Sequence, residues 1–412
     1  MKTQEPGNRE YLFHTTDDIS PIEIEKAEGI YLYDTTGKQY IDLISGISVN
    51  NLGHRHPKVI NAIKKQLDKH LHVMVYGEFI QPPQVHLAKI LKNNLPVTLD
   101  CCYFVNSGSE AVEGAIKLAR LFTQRKEIIS FENAYHGSTI GALSIMGKED
   151  SKFDFQPLLP GCRLIGFNNI PDLKNITTKT ACVIAETIQG EAGVIVPKND
   201  FLIKLRNRCS ETGTLLILDE IQTGFGRTGT LFAFEQYNII PDIITLAKAM
   251  GGGMPLGAFI SSSEIMDSLK TTLIPGHMTT FGGHPLSCVA AIAVMKVLSE
   301  SDLIENVKSK GKLFKKLLAH PAILEVRGNG LLLAVELGAP ACRSFSAGRG
   351  DDFTKKVIKE CIKNGVFTDS FLFAENCLRI APPLIITNDE IKRACKVIVS
   401  CIDKVVRKGV GE

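Results

Sequence analysis

A rhythm in the middle of the chain constrains the fold most. Short apolar runs at 101–105, 182–185, 214–218, 243–247 and 257–260 are separated by longer stretches, several with helical spacing, such as 110–121 and 201–211. Runs that are apolar throughout read as strands buried on both faces, and helical connections between such strands imply parallel pairing. The pattern predicts an α/β domain with a mainly parallel open sheet. The ends of the chain differ. Residues 29–42 alternate in polarity and turn at Thr36-Gly37-Lys38, as a small antiparallel hairpin does. From about residue 300 the pattern runs helix, strand (331–337), helix, strand (378–380) and a last helix. Thr387 and Glu390 fit a capping box for that helix. Ile391, Ala394, Val397, Ile398, Cys401, Ile402 and Val405 then make one apolar stripe along it. Residues 338–352, rich in Gly, Ser and Ala, read as an exposed loop. A chain of 412 residues exceeds one ordinary core. We therefore expect a large α/β domain over 56–299 and a smaller α+β domain built from 1–55 and 300–412.

Charge narrows the partners. The 47 basic and 44 acidic side chains leave a formal net charge of +3, which gives no electrostatic reason to expect nucleic acid or an anionic membrane. No apolar stretch approaches a membrane span, and residues 1–11 lack the apolar segment of a secretion signal. The eleven cysteines are scattered, with no C-x-x-C pair. Free thiols in a reducing cytoplasm are the simpler account, and no metal site is expected. Cys101 and Cys102 read as part of a buried strand. His54 and His56 read as loop residues and not as metal ligands.

In open α/β sheets, ligands bind beyond the carboxyl ends of the strands. After 214–218 comes Asp219, a carboxylate whose burial is costly unless it is paired. After 243–247 comes Lys248, followed by Ala249-Met250 and three glycines. Partial desolvation there lowers an amine's pKa and makes it a better nucleophile. After 101–105 comes Asn106-Ser107-Gly108-Ser109-Glu110, a small hydroxyl-bearing turn opening a helix, which offers free N–H groups to a phosphate. Read singly, these are a capping box, a turn residue and a surface lysine. Together they supply what pyridoxal phosphate requires: a lysine for the Schiff base, an acid for the pyridine nitrogen and a cradle for the phosphate.

These residues resemble the class III aminotransferases, the group that includes acetylornithine, ornithine and 4-aminobutyrate aminotransferases. The similarity runs from Gly29-Ile-Tyr-Leu-Tyr-Asp34 and Gly53-His-Arg-His-Pro57 to Leu378-Arg-Ile-Ala-Pro-Pro383. Its core is Leu218-Asp-Glu-Ile-Gln-Thr-Gly-Phe-Gly-Arg-Thr-Gly229 followed by Leu246-Ala-Lys-Ala-Met-Gly-Gly-Gly253. The resemblance implies the aspartate-aminotransferase-like fold (fold type I) and a homodimer with both active sites at the interface. It implies ping-pong transfer from an ω-amine or amino-acid donor to a 2-oxo acid, 2-oxoglutarate or pyruvate, through a Lys248 aldimine. By the same resemblance Lys248 also shuttles the proton, and Asp219 pairs with the pyridine nitrogen. Gln222 lies near the ring hydroxyl, while Ile221 and Tyr135 pack on the two ring faces. Ser107, Gly108 and Ser109 hold the phosphate, which Thr280 reaches from the partner subunit. His136 and Glu186 complete the cofactor-binding set. Glu191 and Arg379 resemble a gated pair, in which the arginine binds a carboxylate and the glutamate holds it aside otherwise. Tyr76 falls at a substrate-side position.

Three departures stand out. Related enzymes usually carry arginine, for a distal carboxylate, where this chain has Ser138, and serine cannot form a bidentate charged pair. Lys148 and Arg163 are candidates to replace it. Thr187 stands where proline is usual, and His284 where asparagine is usual. The missing arginine keeps a second reading open, an aminomutase or racemase on the same scaffold. A non-catalytic role is opposed by the intact Lys248 and Asp219, and a nicotinamide dehydrogenase by the lack of a G-x-G-x-x-G after a first strand.

Overall fold

The computed structural model describes residues 11–13, 22–75, 79–271, 276–338 and 350–410. The apolar runs form one seven-stranded sheet, in the order Cys101–Val105, Gly257–Ser261, Ile243–Leu246, Leu215–Asp219, Thr180–Glu186, Glu127–Phe131, Cys162–Ile165. Its central strands, Thr180–Glu186, Leu215–Asp219 and Ile243–Leu246, are buried at every position, which is why they carry no polar alternation. These three strands, with Glu127–Phe131 and Cys162–Ile165, pair in parallel. Gly257–Ser261 departs from the expectation and runs antiparallel to both neighbours. A parallel return needs a crossover of about a dozen residues or more, usually a helix, and the connection after Leu246 holds only the short turn Lys248–Gly251. Cys101–Val105 is the sheet's edge, so Cys101 and Cys102 are half-buried and not fully enclosed as expected.

The N-terminal hairpin turns where the sequence places it, with Tyr31–Asp34 antiparallel to Gln39–Asp42. Asp34 Oδ1 fixes the turn by accepting from the N–H groups of Thr36 and Lys38, each at 3.0 Å. The outermost strand of this small sheet, Val366–Phe367, comes from the far end of the chain and pairs in parallel with Gln39–Asp42. A third sheet, Ile323–Asn329, Leu332–Leu337, Ala374–Ile380 and Ser370–Phe371, is built from the tail alone. Its first strand carries no apolar run and gives no strand signal in the sequence. The last helix, Asn388–Val410, begins with the expected box: Thr387 Oγ1 accepts from the N–H of Glu390 at 3.3 Å, and Glu390 accepts from the N–H of Thr387 at 2.8 Å. Most of the loop expected at 338–352 lies outside the described residues. Its end does not form a loop, because Gly350 opens the helix Gly350–Lys363.

Arg227 ties distant segments to the signature stretch. It is fully buried; its Nη1 donates to the carbonyls of Leu331 and Pro382, and its Nη2 to Ser45 Oγ and Asn51 Oδ1. Burial pulls its guanidinium down to about 9. One cation thus fixes the N-terminal segment and the tail against the strand end that bears Asp219.

Candidate active site

At the carboxyl ends of the strands lies a cavity of about 410 Å³. Residues at three of the strand ends singled out in the sequence line it together. The turn before the helix Gly108–Thr123 contributes Ser107, Gly108 and Ser109. The end of Leu215–Asp219 contributes Asp219, Ile221 and Gln222, and Lys248 follows Ile243–Leu246. Tyr135, His136, Glu186 and Glu191 also line the cavity.

Asp219 is 5% exposed and is paired: His136 Nδ1 lies 2.7 Å from Oδ2, and the N–H of Ile221 donates to Oδ1 at 3.0 Å. The sequence places His136 in the site but does not show this pairing, since 83 residues separate the two. Glu220, next in the chain, points away from the cavity side. It takes bonds from Thr187 Oγ1 at 2.6 Å, from Thr223 Oγ1, and from the N–H groups of Ala233 and Phe234. Adjacent residues of extended chain face opposite ways, so one acid serves the cavity and the other the scaffold. Thr187 supplies a hydroxyl bond that proline cannot. His284 likewise keeps a capping role, its Nδ1 accepting from the N–H of Leu286 at 3.3 Å.

Ser107 is both a cap and a cavity residue. Its hydroxyl accepts from the N–H of Glu110 at 3.2 Å, and Glu110 accepts from the N–H of Asn106 at 2.7 Å. The first N–H groups of this helix have no partner four residues back, which leaves a site for an anion. Gly108 packs closely on Ile221: a Cβ there would sit 2.9 Å from Ile221 Cδ1 and would push that side chain aside. Lys248 has φ of 47°, a left-handed conformation that side-chain-bearing residues seldom adopt and that costs roughly 1–3 kcal/mol. Burial pulls its amine below the ordinary lysine range, against the opposing pull of Glu191 and Asp219. Glu186 is pushed up to about 7 by burial.

Arg379 Nη1 and Nη2 meet the two oxygens of Glu191 at 3.0 and 2.8 Å. The guanidinium lies 4.2 Å from the ring centre of Phe371. Burial drives the Glu191 carboxyl up, but Arg379, the N–H of Leu372 and Lys248 together outweigh it and leave the carboxyl below the usual carboxylate range. Ser138 is exposed and does not line the cavity; its Oγ lies 3.2 Å from Oη of Tyr135, which does. Neither substitute cation is there: Lys148 precedes the turn Glu149–Phe155, and Arg163 is engaged with Glu127 and the carbonyl of Asn175. Thr280 is exposed and does not line the cavity, and Tyr76 lies outside the described residues. Val49, Ile188 and Met254 line the cavity without having been expected. Val49 follows four residues, Ser45 to Ser48, that all have positive φ, a run that no periodicity signals.

The donor set fits pyridoxal phosphate. A lysine, a paired acid and an anion-accepting helix start share one cavity, and two buried atoms within it, Gln222 Nε2 and His136 Nε2, have no partner in the protein. Among the described residues no cluster of His, Cys, Asp and Glu could hold a metal ion. The aminotransferase class-III family model matches residues 13–402. The chain belongs to the class III aminotransferases. It is 40% identical over 380 residues to the acetylornithine aminotransferase of Methanopyrus kandleri, covering 91% of this chain and 92% of that one. Its fold is similar to that of a transaminase from the marine bacterium Virgibacillus, with a TM-score of 0.90, 28% identity, and coverage of 97% of this chain and 98% of that one. An ornithine aminotransferase from Toxoplasma gondii, described with partial occupancy of pyridoxal phosphate at its active site, has a TM-score of 0.87 and 30% identity, with 97% and 93% coverage. This class III enzyme accordingly uses pyridoxal phosphate and has the type I fold.

Proposed function

We propose that this aminotransferase takes an amino group from an ω-amine or amino-acid donor and passes it to a 2-oxo acid, 2-oxoglutarate or pyruvate, in two alternating half-reactions at Lys248. Pyridoxal phosphate supplies the electron sink that stabilises charge at the carbon bearing the amine. Asp219, oriented by His136, would face the pyridine nitrogen, and Ser107, Gly108 and Ser109 the phosphate. Ile221 and Tyr135 would hold the ring from its two sides, with Gln222 at its hydroxyl. Lys248, depressed in basicity by burial, is suited to take a proton from one carbon and return it to another.

The observation that carries the proposal is the Glu191–Arg379 pair beside Lys248. A buried arginine neutralised by its own glutamate can exchange that partner for a substrate carboxylate without leaving a charge bare. Initial rates measured against donor at several acceptor concentrations should give parallel double-reciprocal lines, and product should require added oxo acid. Conversion of the donor without any oxo acid would show an aminomutase or racemase instead.

We also read the chain as a homodimer. Met278 and Phe281, large exposed apolar side chains, flank Thr280 in sequence, and exposed Leu71 precedes His72, whose ring lies 4.9 Å from that of Phe281. In that assembly Thr280 would reach the partner's cofactor phosphate. Light scattering should return twice the chain mass, and a monomer with full activity would refute the reading. The ten cysteines among the described residues are free, which suits a cytoplasmic enzyme. Among the described residues no helix is long and apolar enough to cross a membrane.

A further inference from the structure

Glu186 ends the strand Thr180–Glu186 and uses its two oxygens on two different loops. Oε1 accepts from the N–H of Tyr135 at 3.0 Å, and Oε2 from the N–H of Gly190 at 2.8 Å. Tyr135 and His136 form the loop that carries the aromatic ring and the partner of Asp219. Gly190 begins a tight hairpin closed by two bonds between Gln189 and Ile195, at 3.1 and 2.9 Å. Glu191, the partner of Arg379, sits within that hairpin, and its carbonyl and carboxylate hold the N–H groups of Phe373 and Leu372 at 3.0 Å each. Gln189 makes a second link between the hairpin and the end of Glu127–Phe131, donating to the carbonyl of Glu132 at 2.8 Å. The hairpin also packs closely on the cavity wall, where a Cβ on Gly190 would fall 1.8 Å from Gln222 Oε1.

A continuous polar chain therefore runs from Asp219 through His136, the Tyr135 backbone, Glu186 and Gly190 to Glu191 and Arg379. We propose that Glu186 is a positioning residue that couples the cofactor-facing loop to the hairpin bearing Glu191, and so sets how readily Arg379 is released to a substrate carboxylate. This rests on reading the cavity as an aminotransferase site, and it adds a residue that acts through the gate without touching substrate.

The charge of Glu186 matters because only an ionised carboxylate accepts on both oxygens without reserve; a protonated one turns a donor toward one of the two amides. Burial pushes this carboxyl up to about 7, and the charged or titratable groups facing it are His136, Asp219 and Lys248. The bridge is complete above that pH and loosens as pH falls through it.

Two variants test the coupling. Glu186→Gln keeps the shape and removes the charge. Glu186→Asp keeps the charge but is one methylene too short to span both amides. Hydrogen exchange on the cofactor-free protein reads the bridge without any reaction. Loss of one partner should speed exchange at Tyr135 or Gly190 by about tenfold, the scale of one lost buried hydrogen bond. In the loaded enzyme, KM for glutamate should rise about fivefold or more in both variants, and by more than KM for a simple amine donor, which has no carboxylate for Arg379. Wild-type KM should climb as pH drops below about 7, while the Gln variant stays high and flat. Unchanged exchange at both amides in a folded variant, or a wild-type glutamate KM in the Asp variant, would overturn the proposal. If wild-type protein shows the bridge by exchange yet transfers no amino group, the functional reading fails and the coupling stands.

Discussion

Replacing Lys248 with alanine is expected to lower kcat/KM by about 10⁴-fold or more, because in the proposed reaction one side chain would serve as both covalent anchor and proton carrier. The protein should still fold. Lys248 occupies a left-handed backbone position with a desolvated amine, so removing the amine relieves a burial penalty. Thermal unfolding of the cofactor-free variant should therefore match the wild type or exceed it. Borohydride treatment should fix cofactor to the wild-type protein and not to the variant. Activity within tenfold of wild type would move the anchor away from Lys248.

Replacing Arg379 with alanine should act on one class of substrate. The guanidinium makes a two-bond pair with Glu191 and stacks on Phe371, so its removal costs any carboxylate-bearing substrate its charged partner. Truncating one member of a buried charged pair costs about 2–5 kcal/mol, or roughly 10²–10³-fold in kcat/KM for glutamate near the middle of that range. A simple amine donor, which leaves Arg379 on Glu191, should lose far less. Stability will also fall, since Glu191 is left buried without its cation. The ratio of glutamate to amine kcat/KM separates the two effects. Equal losses for both donors would make the pair a structural salt bridge.

The sequence displayed the sheet well because burial on both faces leaves a continuous apolar record, as in 182–185 and 243–247. It displayed the cavity through the residues just beyond the end of each run, and Asp219, Lys248 and the Ser107 turn do meet in one cavity. Direction was less legible. Gly257–Ser261 looks like its parallel neighbours, and only the short connection before it marks the reversal. Long-range pairings were not legible from pattern at all. Nothing local announces that Glu186 will join Tyr135 to Gly190, that Arg227 will gather four distant acceptors, or that a left-handed run will set Val49 on the cavity wall. These depend on backbone atoms and on contacts between distant parts of the chain, which leave no periodicity behind.

Ser138 poses the sharpest question about substrate, because a hydroxyl paired with Tyr135 cannot replace a guanidinium for a distal carboxylate. Glutamate and 2-oxoglutarate carry two carboxylates, and in the proposed reaction Arg379 would answer to one. The most direct measurement is the visible spectrum of the purified enzyme before and after glutamate is added, without any acceptor. Conversion of the lysine-bound cofactor band to that of the aminated cofactor is the predicted result: it shows an amino group leaving a donor at this site, with Arg379 reading a carboxylate. If the band is present and moves with neither glutamate nor alanine nor a simple amine, amino transfer at Lys248 is contradicted.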